Sequence, residues 1–354
     1  MLWFRFTDPE NPGGAKCKES ELLLPPLWGR GHLLAAQFEY PLPRDDPGHR
    51  KALRVSCLGG RLRFRTVGGG DRGGYGGPAI YSVRSIRPGR PDRAASAGAL
   101  LTDLFSLEGR TALVTGGTRG IGLMIARGFV QAGARVIVAS RRAAACEETA
   151  AELSEQGTCV GIKADLGSEA GCNALAAEVA EREPALSILV NNAGANWAAP
   201  FDEFPDAAWD KVLALNVKAA FHLTRALRPQ LEAASREGDP ARVINIGSID
   251  GIQVPTLETF AYSASKAAVH QLTRVLALRL APKITVNAVA PGPFESKMMA
   301  ATLEAFGEQI AAANPLGRIG RPDDMAGVAV FLASRAGAYI NGAVIPVDGG
   351  MVIV

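Results

Sequence analysis

From about residue 100 onward, short β-rich runs and helical stretches take turns along the chain, and this alternation constrains the fold more than any other feature of the sequence. The β-rich runs fall at 111–115, 135–139, 159–164, 187–190, 242–246, 284–289 and 343–347. Helical periodicity occupies 121–131, 144–155, 169–181, 207–234, 262–280 and 323–333 between them. Strand and helix in alternation demand parallel pairing through right-handed crossovers, because only that path packs each helix back on the sheet. The expectation is an α/β fold, a doubly wound parallel sheet of about seven strands over residues 100–354. Ligands of such sheets sit at the carboxyl ends of the strands.

Residues 1–99 have another texture. They hold Pro25-Pro26, Gly68-Gly69-Gly70, Gly73-Gly74, Gly76-Gly77-Pro78 and a string of arginines from Arg50 to Arg93. Residues 1–100 carry 16 Lys and Arg against 9 Asp and Glu, a surplus of +7, whereas the remainder has 22 against 26, or −4. Glycine leaves the backbone too free and proline removes donors, so the segment is expected to be a disordered extension, or a leader upstream of the true start. Asp8, Glu10, Pro12 and Lys16 interrupt any secretory apolar run, and the early acids oppose a transit peptide. No aromatic interleaving supports a nucleic-acid partner for the basic tail. Composition, at 47% hydrophobic and 21% charged, suits a folded core, and no apolar run reaches the roughly 18 residues of a membrane span. Five cysteines (Cys17, Cys57, Cys146, Cys159, Cys172) form no CxxC pair, so neither a disulfide framework nor a zinc site is expected and a cytoplasmic setting is the default.

The first β-run of the alternating part leads straight into Thr115-Gly116-Gly117-Thr118-Arg119-Gly120-Ile121-Gly122 and then a helix. Glycines there let the backbone turn sharply and approach a pyrophosphate, whose charge the helix N-terminus stabilises. Further signals follow in order: Asp165 after the third strand, Asn191-Asn192-Ala193-Gly194 after the fourth, Asn216 in the next helix and Ser248 after the fifth. Then come Tyr262-Ser263-Ala264-Ser265-Lys266, Pro291-Gly292-Pro293 and Val347-Asp348-Gly349-Gly350. The set, covering about residues 107–350, resembles the short-chain dehydrogenase/reductase family, which implies a single Rossmann-type sheet and a nicotinamide-dependent oxidoreductase.

Tyr262 and Lys266 are four apart in a helical stretch and so share one face. A phenol titrates near about pH 10, and an adjacent ammonium is expected to lower that value toward the working range of an acid/base. The resemblance implies that Tyr262 is the acid/base, that Lys266 also binds the nicotinamide ribose, that Ser248 bonds the substrate oxygen and that Asn216 holds a relay water. It also implies cofactor contacts at Gly116, Thr118, Arg119, Gly120, Ile121, Gly122, Asp165, Leu166, Asn192, Ala193, Gly194, Pro291, Gly292 and Ser296.

Family members that prefer NAD carry an acid at the end of the second strand to hold the ribose 2′-hydroxyl. Here that place reads Ser140-Arg141-Arg142, with Arg119 in the glycine turn, so NADP(H) is expected. The four histidines (His32, His49, His222, His270) form no ligand set, and no catalytic metal is expected. Trp197, Phe201, Ile252, Val254, Phe294, Met298 and Met299 fall in the stretches that contact substrate in the family, and suit an apolar or acyl substrate. The pattern from Ala241 to Gly350, with Arg318-Ile319-Gly320-Arg321-Pro322, resembles NADPH-dependent β-ketoacyl reductases of the rhamnolipid-synthesis type. Two alternatives stand beside 3-oxoacyl reduction: a sugar, polyol or other secondary alcohol as substrate, and a catalytically idle NADP(H) sensor or scaffold. Relatives form homotetramers, and the apolar end Met351-Val352-Ile353-Val354 favours association as a tetramer or dimer.

Overall fold

The computed structural model describes residues 36–39, 52–58, 61–67, 101–296 and 299–353, and the chain divides into two units, residues 1–93 and 94–354. In the first unit β1 (Ala36–Glu39), β2 (Ala52–Leu58) and β3 (Arg61–Val67) pair antiparallel in that order. The sequence reading assigned no element to these residues. Polar and apolar residues alternate through β2 and β3, and only Gly59-Gly60, a tight-hairpin signal, separates the paired Leu58 and Arg61. The rest of the expected disorder lies outside the described residues.

In the second unit a short helix, α1 (Leu101–Phe105), precedes a seven-stranded sheet. Its strands are β4 (Thr111–Thr115), β5 (Arg135–Ser140), β6 (Thr158–Lys163), β7 (Ile188–Asn191), β8 (Ala241–Ile246), β9 (Ile284–Pro291) and β10 (Val344–Val347). All pair in parallel, in the order β10-β9-β8-β7-β4-β5-β6. The order reverses between β4 and β7, which opens a crevice at their carboxyl ends.

Helices cover both faces, so the central strands are buried and largely apolar, with Arg242 and Asn245 in β8 and Thr285 and Asn287 in β9 among their buried polar residues. One face packs Val114, Val136, Ile244 and Val289 against α2 (Gly120–Gln131) and α10 (Pro322–Ala333), through Ile125, Phe129, Met325 and Leu332. The other sets Leu113, Ile137, Leu189, Val243 and Val286 against Leu175, Val179, Leu223 and Leu276. Those four belong to α4 (Glu169–Arg182), α6 (Ala219–Ala226) and α8 (Phe260–Leu280), while α3 (Ala143–Ser154) packs on β6.

The single helix expected over 207–234 is three: α5 (Asp206–Leu213), α6 and α7 (Arg228–Ala234). A π-helical turn, Ala214–Lys218, separates the first two, and Pro229 lies in the first turn of α7, where its missing N–H costs nothing. One further helix, α9 (Ala300–Ala313), stands over the carboxyl-end side where no helix was expected.

Candidate active site

The glycine turn is closed by its neighbours' backbone. Gly116 and Gly120 have φ of 63° and 51°, the left-handed region that glycine enters without strain. A Cβ on Gly122 would stand 2.3 Å from Gly116 O and 2.4 Å from Asn192 Nδ2, so any larger residue would force α2 away from the turn. Asn192 locks the turn from the end of β7, its Nδ2 donating to Thr115 O (2.8 Å) and Gly116 O (3.2 Å). Thr115 Oγ1 accepts from Asn192 N and Ala193 N and donates to Val190 O. The start of α2 presents the N–H groups that a pyrophosphate requires.

Beside it lies the basic cluster. Arg119 is the exposed N-cap residue of α2, with no side-chain cap, and Arg141 and Arg142 are exposed at the start of α3. Among the described residues none of the three has an acidic partner at ion-pair distance. Ser140 Oγ reaches Cys146 Sγ (3.2 Å), and that thiol meets Ile162 O (3.3 Å), so α3 is fastened to the end of β5 just behind the arginines.

The other predicted residues fall around the same crevice. Asp165 is exposed and caps its own turn by accepting from Gly167 N, whereas the Leu166 side chain is buried in the core, leaving only its backbone to a cofactor. Ser296 lies against the glycine turn, 3.1 Å from where a Gly120 Cβ would be, and Pro291 and Gly292 end β9 against Asp348. Gly194 packs beside Asn216 Oδ1.

Asn216 lies in the π-helical turn, which aims its amide at two other elements. Its Oδ1 accepts from Ala195 N (2.8 Å), and its Nδ2 donates to Ala195 O (3.0 Å) and to Ser265 Oγ (2.9 Å). Ser265 Oγ in turn donates to Tyr262 O (2.6 Å). A cavity of about 10 Å³, the scale of one water, is lined by Asn216, Lys266, Thr115, Asn191 and Ile246 among others.

Ser248 follows β8 as the cap of a short 3₁₀ turn, Ile249–Gly251, its Oγ accepting from Asp250 N (3.2 Å). Lys266 is buried, donates to Ile246 O (2.8 Å), and its Nζ lies 5.3 Å from the centroid of the Tyr262 ring. The expected lowering of the phenol is corrected here. Burial pushes Tyr262 up to about 12, opposed by the Ser248 hydroxyl and reinforced by the Asp250 carboxylate. Burial likewise brings Lys266 down to about 8, with Asp250 opposing. Lys266 is buried with its ammonium turned to a carbonyl and Tyr262 is half-buried, so desolvation outweighs their mutual effect.

Sequence reasoning missed Asp250, Ser265 and His270. Ser265 was in view inside the Tyr-Lys motif, and Asp250 two residues past Ser248. His270 is one turn beyond Lys266, buried beneath the Ser248 turn, and burial takes its imidazole down to about 4. A Cβ on Gly247 would fall 2.1 Å from its Nε2, so only glycine lets the turn lie so close.

Of the stretches expected to meet substrate, Trp197, Phe201, Ile252 and Val254 are exposed. Phe294 is not available: it is core, with its ring filling the space beside Gly320. Met298 lies outside the described residues. A cavity of about 560 Å³ between α9 and the strand ends is lined by Glu295, Glu304 and Glu308 together with Leu303, Ala311 and Ile319.

Residues 116–352 match a family model described as enoyl-(acyl carrier protein) reductase. The chain is 50% identical over 250 residues to a rhamnolipids biosynthesis 3-oxoacyl-[acyl-carrier-protein] reductase of Pseudomonas aeruginosa, covering 70% of this chain and 97% of that one. It is 40% identical over 255 residues to a galactitol 2-dehydrogenase (L-tagatose-forming) of Cereibacter sphaeroides, covering 71% and 98%. Among solved structures, an RhlG/NADP active-site complex from Pseudomonas aeruginosa superposes with a TM-score of 0.69 at 49% identity, over 71% of this chain and 99% of that one.

Proposed function

This chain belongs to the short-chain dehydrogenase/reductase family of NADP-dependent oxidoreductases acting on alcohol and ketone groups, and from that premise we propose that it reduces the 3-keto group of an acyl thioester. NADPH, when bound, supplies the hydride. Gly116, Thr118, Gly120, Ile121 and Gly122 hold the pyrophosphate side through backbone N–H groups, and Arg119, Ser140, Arg141 and Arg142 hold the 2′-phosphate. Asp165, the Leu166 backbone, Asn192, Ala193, Gly194, Pro291, Gly292 and Ser296 line the rest of the cofactor groove.

The observation that carries the catalytic reading is the meeting of Ser248, Tyr262 and Lys266 from two different elements at the carboxyl end of β8. Ser248 holds the substrate oxygen, and Tyr262 gives it a proton as the carbonyl carbon receives hydride. A phenol pushed up to about 12 is wholly protonated near neutrality, the form a reductase needs at the start of turnover. Lys266 returns the proton. Asn216 holds a relay water in the small cavity beside Lys266, while its amide fixes the Ala195 loop and, through Ser265, the Tyr262 turn.

Exposed apolar groups on the stretches that follow β7 and β8, with three glutamates around the larger cavity, favour a neutral acyl chain over an anionic sugar acid. The same carboxylates could accept hydrogen bonds from a neutral polyol, and that is the second reading. NADPH consumption with an acetoacetyl thioester, a keto sugar and a keto sugar acid separates them: the thioester is expected to give the highest kcat/KM, and a preference for either sugar overturns the reading.

Activity is assigned to residues 100–354, and the protein is taken to be a cytoplasmic homo-oligomer, a tetramer or a dimer. Val275 and Leu278 stand exposed on α8, as an interface between copies would require, and a monomeric mass by sedimentation would refute the assembly. No helix among the described residues is long and apolar enough to cross a membrane.

A further inference from the structure

The stretch of chain between β7 and α5 is fastened at both ends to the helix that carries Tyr262. It leaves the carboxyl end of β7, the side on which ligands of such sheets sit. Its start is held by Asn216, whose amide takes both the N–H and the C=O of Ala195 and connects through Ser265 Oγ to Tyr262 O. Its far end is held by one ring. Phe260, the first residue of α8, meets Phe201 at 5.6 Å between ring centroids and Phe204 at 5.3 Å, both edge to face, with interplanar angles of 75° and 83°. Phe204 meets Trp209 of α5 in the same manner at 6.0 Å, and Ala199 N donates to Glu258 O (3.3 Å), two residues before Phe260. Between the two attachments stands Trp197, exposed, with Lys211 Nζ 5.3 Å from its ring centroid.

We propose that Phe260 is a positioning residue for substrate: its ring locks residues 196–204 to the first turn of α8, so that the surface on which substrate lies keeps a fixed distance from Tyr262. The inference rests on the reading of Tyr262 as acid/base.

Edge-to-face contacts between rings are directional, so this pair fixes where the segment stands as well as holding it. Phe260 and Tyr262 belong to one hydrogen-bonded turn, closed by Ser263 N donating to Thr259 O (3.0 Å). Stability alone does not account for the cluster, because Phe201 stays 71% exposed and Phe204, Trp209 and Phe260 are only half-buried. Loss of the Phe260 ring would free the far end of the segment and leave Ala195 held by Asn216. Asn192, Ala193 and Gly194, assigned to the cofactor groove, lie on the near side of that anchor and stay in place. An interaction made equally in the ground and transition states acts on KM, whereas the proton transfer acts on kcat. The ring's contribution is therefore to substrate KM.

The test compares Phe260→Ala with Phe260→Tyr, which keeps the ring, in the full chain. Hydrogen exchange read by mass spectrometry follows the segment without any substrate: peptides within 196–204 should exchange several-fold faster in F260A, with α2 unchanged and F260Y near the parent. In steady state, KM should rise by about tenfold in F260A, with kcat and NADPH affinity within about twofold, and F260Y should restore it. The substrate is whichever of the acetoacetyl thioester, the keto sugar and the keto sugar acid the parent prefers. Unchanged exchange in 196–204 overturns the proposal, and so does faster exchange with an unmoved KM. Faster exchange throughout the catalytic unit, with kcat lowered and KM held, also overturns it, since Phe260 would then serve only the general stability of the fold. If F260A does not fold, Phe260→Leu, which has no ring edge, replaces it with the same outcomes. A parent that prefers a sugar refutes the acyl reading and leaves the Phe260 comparison intact, and turnover that survives Tyr262→Phe defeats the acid/base reading whatever the exchange shows.

Discussion

The glycine turn and the Ser248–Lys266 region lie on neighbouring strand ends and are built by opposite means. Around the turn the ionisable groups are exposed arginines, and the geometry is set by the absence of atoms: a Cβ on Gly122 has nowhere to go. Around Ser248 the groups are taken out of water, with Tyr262, Lys266 and His270 all displaced from their ordinary titration ranges by burial. Binding an anion needs room, N–H groups and accessible charge, whereas moving a proton needs groups whose protonation the surroundings control. The first region should therefore be sensitive to added volume or lost charge in its affinity, and the second to chemistry in its rate.

The largest expected effect lies in the buried region. Tyr262→Phe keeps the ring and removes the transferable proton, so turnover should fall by about 10² to 10⁴ with NADPH affinity nearly unchanged. A rate within about tenfold of the parent would show that the proton comes from elsewhere. Next comes the exposed region, where Arg119→Ala with Arg141→Ala removes two charge-assisted contacts to the 2′-phosphate. Affinity for NADPH should fall by about ten- to several-hundred-fold, with NADH within a few-fold. Equal weakening of both cofactors, measured by fluorescence titration, would erase the contrast between the regions by giving the arginines a merely structural role.

His270 sharpens the comparison through stability. Its folded value of about 4 lies below the ordinary 6.5, so the unfolded chain binds more protons between those values. Stability is fully present above about pH 6.5 and declines as pH falls toward 4, by at most about 3 kcal/mol. Denaturant melts of His270→Asn across that window should lack this part of the decline, and an identical slope in both proteins would mean that other groups cause it. The smallest effect is expected from deleting residues 1–98, which should leave kcat/KM unchanged; loss of activity would show that the extension supports the catalytic unit.

Much of this contrast was legible in the sequence. Parallel strands announce themselves because strands such as Leu113-Val114 and Ala288-Val289-Ala290, covered on both faces, must be largely apolar. The glycine turn and the Tyr262-Lys266 pair could be read because their chemistry depends on spacing along one element. Asp250 and His270 could not, since their meaning comes from the turn after β8 folding down on α8, a contact between elements that periodicity does not encode. The sign of the Tyr262 displacement was misread for the same reason: neighbourhood along a helix shows that an ammonium is close, but not how far burial removes the two groups from water. In the first unit, the alternation in β2 and β3 was masked by the glycines and arginines around it.

The π-helical turn at Ala214–Lys218 has a consequence for how this stretch of chain can vary. Each residue of a helix advances the side-chain direction by about 100°. The wider turn therefore resets the phase between α5 and α6, allowing Asn216 to face the Ala195 loop while Leu223 packs on the sheet and Thr224 accepts from Asn191 Nδ2 (3.1 Å). Deleting one residue here would rotate all of α6 relative to α5, carrying Thr224 off Asn191 and bringing a flank such as Phe221 or Arg225 toward the core. Length in this segment is thus fixed more tightly than identity: side chains on its outer surface can be exchanged one by one, but a single-residue insertion or deletion would dephase the site and the core at once.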